Sequence, residues 1–163
     1  MKTAQKPMPD TETTQLQVNQ WIKASPARIF TALTTPEEMT RWFARGLPCK
    51  IEANVTPGGS WRINIQRPDG SNHVAFGRYK DIVPGKKVSF TWGWEGKACS
   101  PDKPAMIEAS QDDSLVTIEL AEKTGGTEVT LTHERLPGTV AVERHSEGWT
   151  GCLASLADYL TQI

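Results

Sequence analysis

The chain has 163 residues, of which 37% are hydrophobic and 23% charged, and its formal net charge is −1. This composition is that of a globular domain with a buried core, and it excludes an intrinsically disordered chain. The balanced charge excludes a basic surface of the kind that binds nucleic acid or acidic membranes. No stretch approaches the roughly 20 apolar residues that span a bilayer, so we expect no membrane insertion. Because the first residues lack the apolar core of a signal peptide, we expect a cytoplasmic protein.

The cysteines and histidines do not suggest a bound metal or a disulfide framework. Cys49, Cys99 and Cys152 are odd in number, widely spaced and without a CxxC pair. A zinc site needs several ligands at close spacing, and His73 lies far from the other two histidines in sequence. We therefore expect no cofactor and no metal.

The amino-terminal segment predicts a flexible tail followed by a strand. Residues 1–13 are polar and contain two prolines, and we expect them to form a tail outside a single domain that spans 14–163. From Leu16 to Ile22 apolar and polar residues alternate, which predicts a strand with one buried face. Trp21 falls on the opposite face of this strand, so we expect it to cover the outside of a sheet.

Two short helices follow this strand. Ser25 and Pro26 form a helix start, with a capping hydroxyl followed by proline at the first helical position. Thr35 and Glu38 have the spacing of a capping box, which predicts reciprocal side-chain capping of the second helix. Each of these two helical segments also has an apolar stripe, which predicts that it packs on a core.

A block of alternating segments occupies the middle of the chain. Turn signals separate these segments at residues 57–59, 68–70, 84–85 and 125–126. Strands at hairpin spacing predict an antiparallel sheet. Because the strands form one block and the helices lie at either side of it, the pattern indicates an α+β fold.

The last segment predicts a long helix from about 139 to 162, with one apolar stripe. Gly148 and Gly151 lie on a flank beside this stripe, although an interior glycine costs a helix about 0.5–1 kcal/mol relative to alanine. Two interpretations stay open. The glycines either let a strand approach the helix closely or leave volume for a cavity.

Four stretches taken in order resemble a known family. They are VNQWIKASPARIFTALTTPEEMTRWF, GGSWRINI, FGRYKDIVPGKKVSFTW, and TEVTLTHERLP followed by EGWTGCLASLADYL. Together they span most of residues 14–162. In this order the chain resembles the START-like (SRPBCC) superfamily, and within it the bacterial single-domain members of the heat-shock-protein-90 ATPase activator homologue-like family.

The resemblance implies the helix-grip fold, in which a curved antiparallel sheet wraps around the long carboxy-terminal helix. It also implies an elongated, mostly apolar cavity between sheet and helix. Members of the superfamily differ in role, so three hypotheses follow. The first is a carrier, sensor or sequestering protein for a hydrophobic small molecule. The second is a polyketide-type cyclase or hydrolase that uses the same cavity, and the third is a co-factor of a chaperone ATPase.

Aromatic and apolar residues on the predicted inward faces are the candidate ligand-binding residues. The set comprises Trp42, Trp61, Ile63, Phe76, Tyr79, Phe90, Trp92, Trp94, His133, His145, Trp149 and Leu153. Each aromatic residue is either ordinary core or part of a stacking surface for a flat apolar ligand. Each histidine is either satisfied by a structural hydrogen bond or acts as a polar anchor or acid/base group.

No catalytic motif accompanies these residues. The chain has no GxSxG sequence, no phosphate-binding loop and no local Ser/His/Asp or Cys/His arrangement. We therefore expect no catalytic residues and favour a binding protein over an enzyme. An apolar sheet edge makes a homodimer a further expectation.

Overall fold

The computed structural model describes residues 15–94, 114–136 and 138–161. In chain order the elements are β1 (Leu16–Ile22), α1 (Pro26–Thr34), α2 (Pro36–Trp42), β2 (Cys49–Ala53), β3 (Ser60–Gln66), β4 (Asn72–Val83), β5 (Lys87–Trp94), β6 (Ser114–Lys123), β7 (Gly126–Glu134) and α3 (Thr139–Thr161). The predicted α+β order is confirmed. The tail expected over 1–13 lies outside the described residues, as does the side chain of Trp94.

The described strands form one open sheet in the order β1, β7, β6, β5, β4, β3, β2. Every neighbouring pair is antiparallel. The inner face of the sheet packs against α3, so the helix-grip architecture is confirmed. Because β1 and β2 end the sheet, the amino-terminal strand lies far from the strand that follows the two short helices.

Helix α3 buries the predicted apolar stripe against this inner face. Its buried residues are Ala141, His145, Trp149, Cys152, Leu153, Leu156 and Leu160. Of the described strands, β1 lies closest to this helix, while Trp149 and Leu153 share a cavity lining with Val88, Ile118 and Leu131 of β5, β6 and β7. The hydrophobic core therefore lies between one face of the sheet and the helices, and α1 and α2 contribute Ile29, Leu33, Met39 and Trp42 to it. As predicted, Trp21 lies on the other face and is 45% exposed.

The first turns of α1 and α2 show which of the predicted capping hydrogen bonds form. The Arg28 backbone N–H donates to Ser25 Oγ at 3.1 Å, and Pro26 occupies the first turn, as predicted. Thr35 also begins α2, but the structure gives it no side-chain capping hydrogen bond. The capping box is therefore wrong, because the Glu38 carboxylate faces Arg28, with 2.8 Å between Arg28 Nη1 and Glu38 Oε1.

A bulge interrupts the pairing of β4 with β5 between Tyr79 and Ile82. Such bulges bend a strand and increase its twist. Just before the bulge, a Cβ atom on Gly77 would overlap the Thr91 carbonyl oxygen and crowd the Trp61 indole. Glycine at this position therefore lets β4 approach β5 closely while the Trp61 ring covers it.

Candidate functional site

A small apolar cavity lies between α3, the inner face of the sheet and the two short helices. Its volume is about 30 Å³, which is room for about one or two water molecules. Its lining residues are Leu33, Met39, Trp42, Phe43, Trp61, Ile63, Val88, Phe90, Trp92, Ile118, Leu131, Trp149 and Leu153. Ligand pockets usually measure roughly 300–1,000 Å³, so this cavity is smaller than the elongated one that the resemblance implies.

Most of the candidate residues from the sequence meet at this cavity. Trp42, Trp61, Ile63, Phe90, Trp92, Trp149 and Leu153 all line it. Tyr79 points inward as predicted and is 5% exposed, but it packs beside the cavity with its ring 6.0 Å from that of Phe90. Burial raises the pKa of the Tyr79 phenol to about 12, because the anion is poorly solvated there.

Phe76 does not join this group. It pairs with Arg62 across β3 and β4, and Arg62 follows Trp61, which points into the cavity. Because successive strand residues face opposite sides, Phe76 lies on the outer face of the sheet. The structure therefore places it away from the site for which the sequence proposed it.

The aromatic side chains form one contiguous cluster around Trp92. Its ring centroid lies 5.2 Å from that of Trp61 and 5.0 Å from that of Trp149. Phe43 completes the cluster at 6.2 Å from Trp92 and 5.9 Å from Trp149. Sequence reasoning missed Phe43 as a site residue, although it directly follows Trp42, the last residue of α2. These tilted and edge-to-face contacts are the arrangements that aromatic rings favour in a filled core.

His133 lies in a chain of buried hydrogen bonds. Trp149 Nε1–H donates to His133 Nδ1 at 3.0 Å, and His133 Nε2 lies 3.0 Å from Ser114 Oγ. The Ser114 hydroxyl donates to the Trp92 carbonyl oxygen at 2.6 Å. Because Nδ1 accepts and the Ser114 proton is already used, a neutral His133 carries its proton on Nε2 and donates it to Ser114. The chain thus ties α3 to three strands.

This arrangement favours the structural interpretation of His133 over the acid/base one. A histidine that activates a serine must accept the hydroxyl proton on the nitrogen facing it, whereas here that nitrogen is the donor. Burial, together with the nearby His145, holds the pKa of His133 well below its usual range. Both ring nitrogens of His133 therefore have hydrogen-bond partners inside the protein, and one of these partners, Ser114, is a residue that sequence reasoning did not single out.

His145 lies one ring away from His133, with 5.1 Å between the ring centroids. Its Nδ1–H donates to the Ala141 carbonyl oxygen at 2.7 Å. Burial lowers the pKa of His145, and the hydrogen bond to Ala141 opposes that shift. Both histidines are thus held neutral inside the core, as expected for inward-facing residues.

One buried polar atom near the cavity, Nε1 of Trp61, has no hydrogen-bond partner among the described residues. Trp61 is 5% exposed. A buried donor without an acceptor costs about 1–3 kcal/mol, so buried donors are nearly always paired. The ring of Trp61 lines the apolar cavity, and its Nε1 lies beside Gly77 of β4, 2.8 Å from the position of a Cβ atom on that glycine.

The two helix glycines serve neither of the roles expected from the sequence. A Cβ atom on Gly148 would meet nothing within 4 Å, so no strand approaches it. A Cβ atom on Gly151 would overlap the guanidinium of Arg45. Arg45 is exposed and lies in the turn after α2, where its φ is 56°. Gly151 therefore accommodates an arginine side chain from outside the sheet. Neither glycine lines the cavity.

The described part of the chain shows neither a metal-binding cluster nor a membrane-spanning helix. Over residues 15–94, 114–136 and 138–161, no three histidine, cysteine or carboxylate side chains lie close enough together to hold a metal ion. Within the same ranges no helix combines the length and apolarity needed to cross a membrane.

Comparison with known proteins gives a family match. The family described as "Activator of Hsp90 ATPase homolog 1-like protein" matches residues 23–161. None of the curated proteins compared with the chain matches it.

Several solved structures share the fold. A protein from Chromobacterium violaceum is 23% identical with a TM-score of 0.75, over 89% of this chain and 95% of that one. A protein from Rhizobium leguminosarum is 24% identical with a TM-score of 0.75, over 91% and 95% of the two chains. DynU16, from the dynemicin biosynthetic locus, is 21% identical with a TM-score of 0.69, over 91% of this chain and 47% of that one. At these identities the likeness establishes the fold alone.

Proposed function

The chain belongs to the family of activator of Hsp90 ATPase homolog 1-like proteins, and we propose that it binds a small hydrophobic molecule that carries a hydrogen-bond acceptor. The proposed site is the cavity between α3 and the inner face of the sheet. The unsatisfied Nε1–H of Trp61 carries the proposal, because a ligand oxygen placed there satisfies a donor that the described residues leave unpaired.

The lining of the cavity supports an apolar ligand. No charged side chain takes part, and aromatic rings contribute much of the wall. Rings with exposed faces stack well on flat apolar molecules, and a few polar groups in such a wall orient a ligand. An apolar body with one carbonyl, ether or hydroxyl oxygen matches this lining.

Binding at this site requires the wall to move, since the cavity is about 30 Å³. Helix α2 contributes Met39 and Trp42 to the wall and has only 7 residues. Methionine has an unbranched, adaptable side chain that repacks at low cost. Outward displacement of α2 would break the 2.8 Å hydrogen bond from the Tyr159 hydroxyl to Glu38 Oε1. We therefore propose that the ligand enters by displacing this short helix from α3.

The test compares two probes of similar shape in calorimetric titrations. They are 2-acetylnaphthalene, which carries an acceptor oxygen, and 2-isopropylnaphthalene, which does not. We expect Trp61→Phe to weaken the ketone roughly three- to tenfold, the usual worth of one neutral hydrogen bond, and to leave the hydrocarbon nearly unchanged. Trp21→Phe is the matched control, because Trp21 is exposed on the other face.

Two outcomes count against the proposal. If neither probe binds the wild-type protein saturably, the cavity does not open to ligands. If Trp61→Phe weakens both probes equally, the indole contributes packing area and its N–H is not a ligand donor.

The two alternatives from the sequence remain predictions. A polyketide-type cyclase or hydrolase requires an acid or base able to exchange a proton with the substrate, and the nitrogens of His133 are both engaged in the protein. A chaperone co-factor role rests on the family description alone. A homodimer and a cytoplasmic location likewise stay predictions.

A further inference from the structure

A second concave site lies on the outer face of the sheet, opposite the proposed ligand cavity. It is an open depression of about 520 Å³ where β2, β3 and β4 run side by side. This volume falls within the roughly 300–1,000 Å³ of small-molecule pockets, whereas the inner cavity does not. We call it the outer groove and define it by the side chains of Glu52, Asn54, Ser60, Arg62, Phe76 and Arg78.

Strand register places these side chains in two rows across the groove. Glu52 pairs with Arg62 and Arg62 pairs with Phe76, which makes the first row. Ser60 pairs with Arg78 in the second row. Arg62 and Arg78 are therefore diagonal neighbours on adjacent strands, with Cα atoms roughly 7–8 Å apart, within reach of one another's long side chains.

Small residues around Phe76 leave the volume of the outer groove unfilled. On β5 the residue paired with Phe76 is Gly93, which places no side chain beside the ring. In the second row the side chain of Ser60 is short and fills little space. A β-bulge after Tyr79 increases the twist of β4 where this strand leaves the groove. The Phe76 ring is half-buried and thus presents an apolar surface next to open volume.

The groove is cationic although the chain as a whole is not. Among its lining residues two guanidinium groups oppose one carboxylate, that of Glu52. Lys50 Nζ lies 3.9 Å from this carboxylate and offsets its charge. Within the described residues Arg78 is exposed and has no ion pair. Guanidinium groups bind carboxylates and phosphates through paired N–H donors, so two of them beside one ring favour an anion.

We infer that the outer groove binds an organic anion with a flat apolar body, whose carboxylate or phosphate lies between Arg62 and Arg78 and whose body stacks on Phe76. The amide of Asn54 and the hydroxyl of Ser60 supply neutral hydrogen bonds at the rim. This inference does not rest on the proposed inner site, because the side chains that define the outer groove lie on the other face of the sheet; Trp61 is the one described residue that lines both.

The experiment uses the full chain labelled with ¹⁵N and titrates it with 2-naphthoate, 2-naphthyl phosphate and the neutral 2-naphthylmethanol. We expect saturable amide shifts at residues 52–54, 60–62 and 76–78 for one or both anions. The carboxylate and phosphate arms separate the two kinds of anionic head group. The alcohol, which lacks the charge, is expected to bind at least about fivefold more weakly.

Substitutions locate the charge that binds. We expect Arg78→Gln to weaken the anion roughly three- to tenfold, as for a charge-assisted contact that water partly screens. Arg41→Gln is the matched control, an exposed arginine on α2 that does not line the groove. Because Arg78 is exposed, its substitution is expected to leave the folded spectrum intact.

Three outcomes would overturn the inference. The first is the absence of saturable shifts with either anion. The second is a set of shifts that maps to inner residues such as Trp149 and Leu153. The third is an affinity that Arg78→Gln lowers no more than Arg41→Gln does, or that the neutral alcohol matches.

Discussion

The two glycines of α3 provide a matched pair of substitutions. Replacing glycine by alanine inside a helix stabilises it by about 0.5–1 kcal/mol when the new methyl group fits. At Gly148 a Cβ atom meets nothing within 4 Å. We therefore expect Gly148→Ala to raise the free energy of unfolding by this full amount.

At Gly151 the same change has an opposing cost. The new methyl group would overlap Arg45, with its Nε and Nη1 atoms each 2.7 Å from the Cβ position. Arg45 is exposed, so its side chain can swing away without unfolding the turn. It then gives up contacts worth about 0.1–0.2 kcal/mol per atom pair, in all about 0.5 kcal/mol. We expect Gly151→Ala to gain correspondingly less than Gly148→Ala.

A double-mutant cycle with Arg45→Ala separates the two terms. In the Arg45→Ala background the obstacle is absent, so both glycine substitutions should stabilise the protein equally. Urea unfolding followed by circular dichroism measures the four differences, compared through the midpoint at constant slope. Equal gains from Gly148→Ala and Gly151→Ala in the wild-type background would refute the packing of Arg45 on Gly151.

Three further predictions concern the buried polar groups. Trp149→Phe removes the donor to His133 Nδ1 and should lower the free energy of unfolding by about 1–3 kcal/mol in urea titrations, whereas Trp21→Phe should change it by less than about 0.5 kcal/mol. Burial lowers the pKa of both His133 and His145, so below their ordinary value of about 6.5 only the unfolded chain takes up protons. Stability is then fully present above that pH and falls as the pH drops, by up to about 1.4 kcal/mol per pH unit for each histidine. His145→Gln should reduce this slope between pH 6.5 and 5.5, and an unchanged slope would contradict the assignment. The pKa of Tyr79 is raised to about 12, so its share of stability is present below about pH 10 and is lost as the pH rises toward 12. A phenolate absorbance titration should show a late step that Tyr79→Phe removes.

Much of the fold could be predicted from local patterns in the sequence. Alternation in the β1 segment placed Leu16 inside and Trp21 outside, because side chains alternate strictly along a regular strand. The Ser25 cap and the stripe of α3 were predicted correctly because capping and helical periodicity depend on near neighbours. Family resemblance added the helix-grip topology, which no local pattern contains.

The candidate site could be predicted only in part. Hydrophobic pattern identified Trp42, Trp61 and Trp149 as inward-facing, and all three line the cavity. The hydrophobic pattern did not separate Phe76 from Tyr79, although residues three positions apart in a strand lie on opposite faces of the sheet. The capping box at Thr35 also failed, because Glu38 bonds to distant partners instead.

By itself, then, the sequence determined which faces of each element are apolar and where helices start and turns occur. Only the tertiary structure decided how those faces fill space and which polar groups meet. His133 is satisfied by residues 16 and 19 positions away in the chain, and Gly151 meets Arg45 from the turn after α2. Whether an apolar face encloses a cavity depends on the fit of side chains from several elements. That fit depends on three-dimensional packing, so local periodicity in the sequence does not predict it.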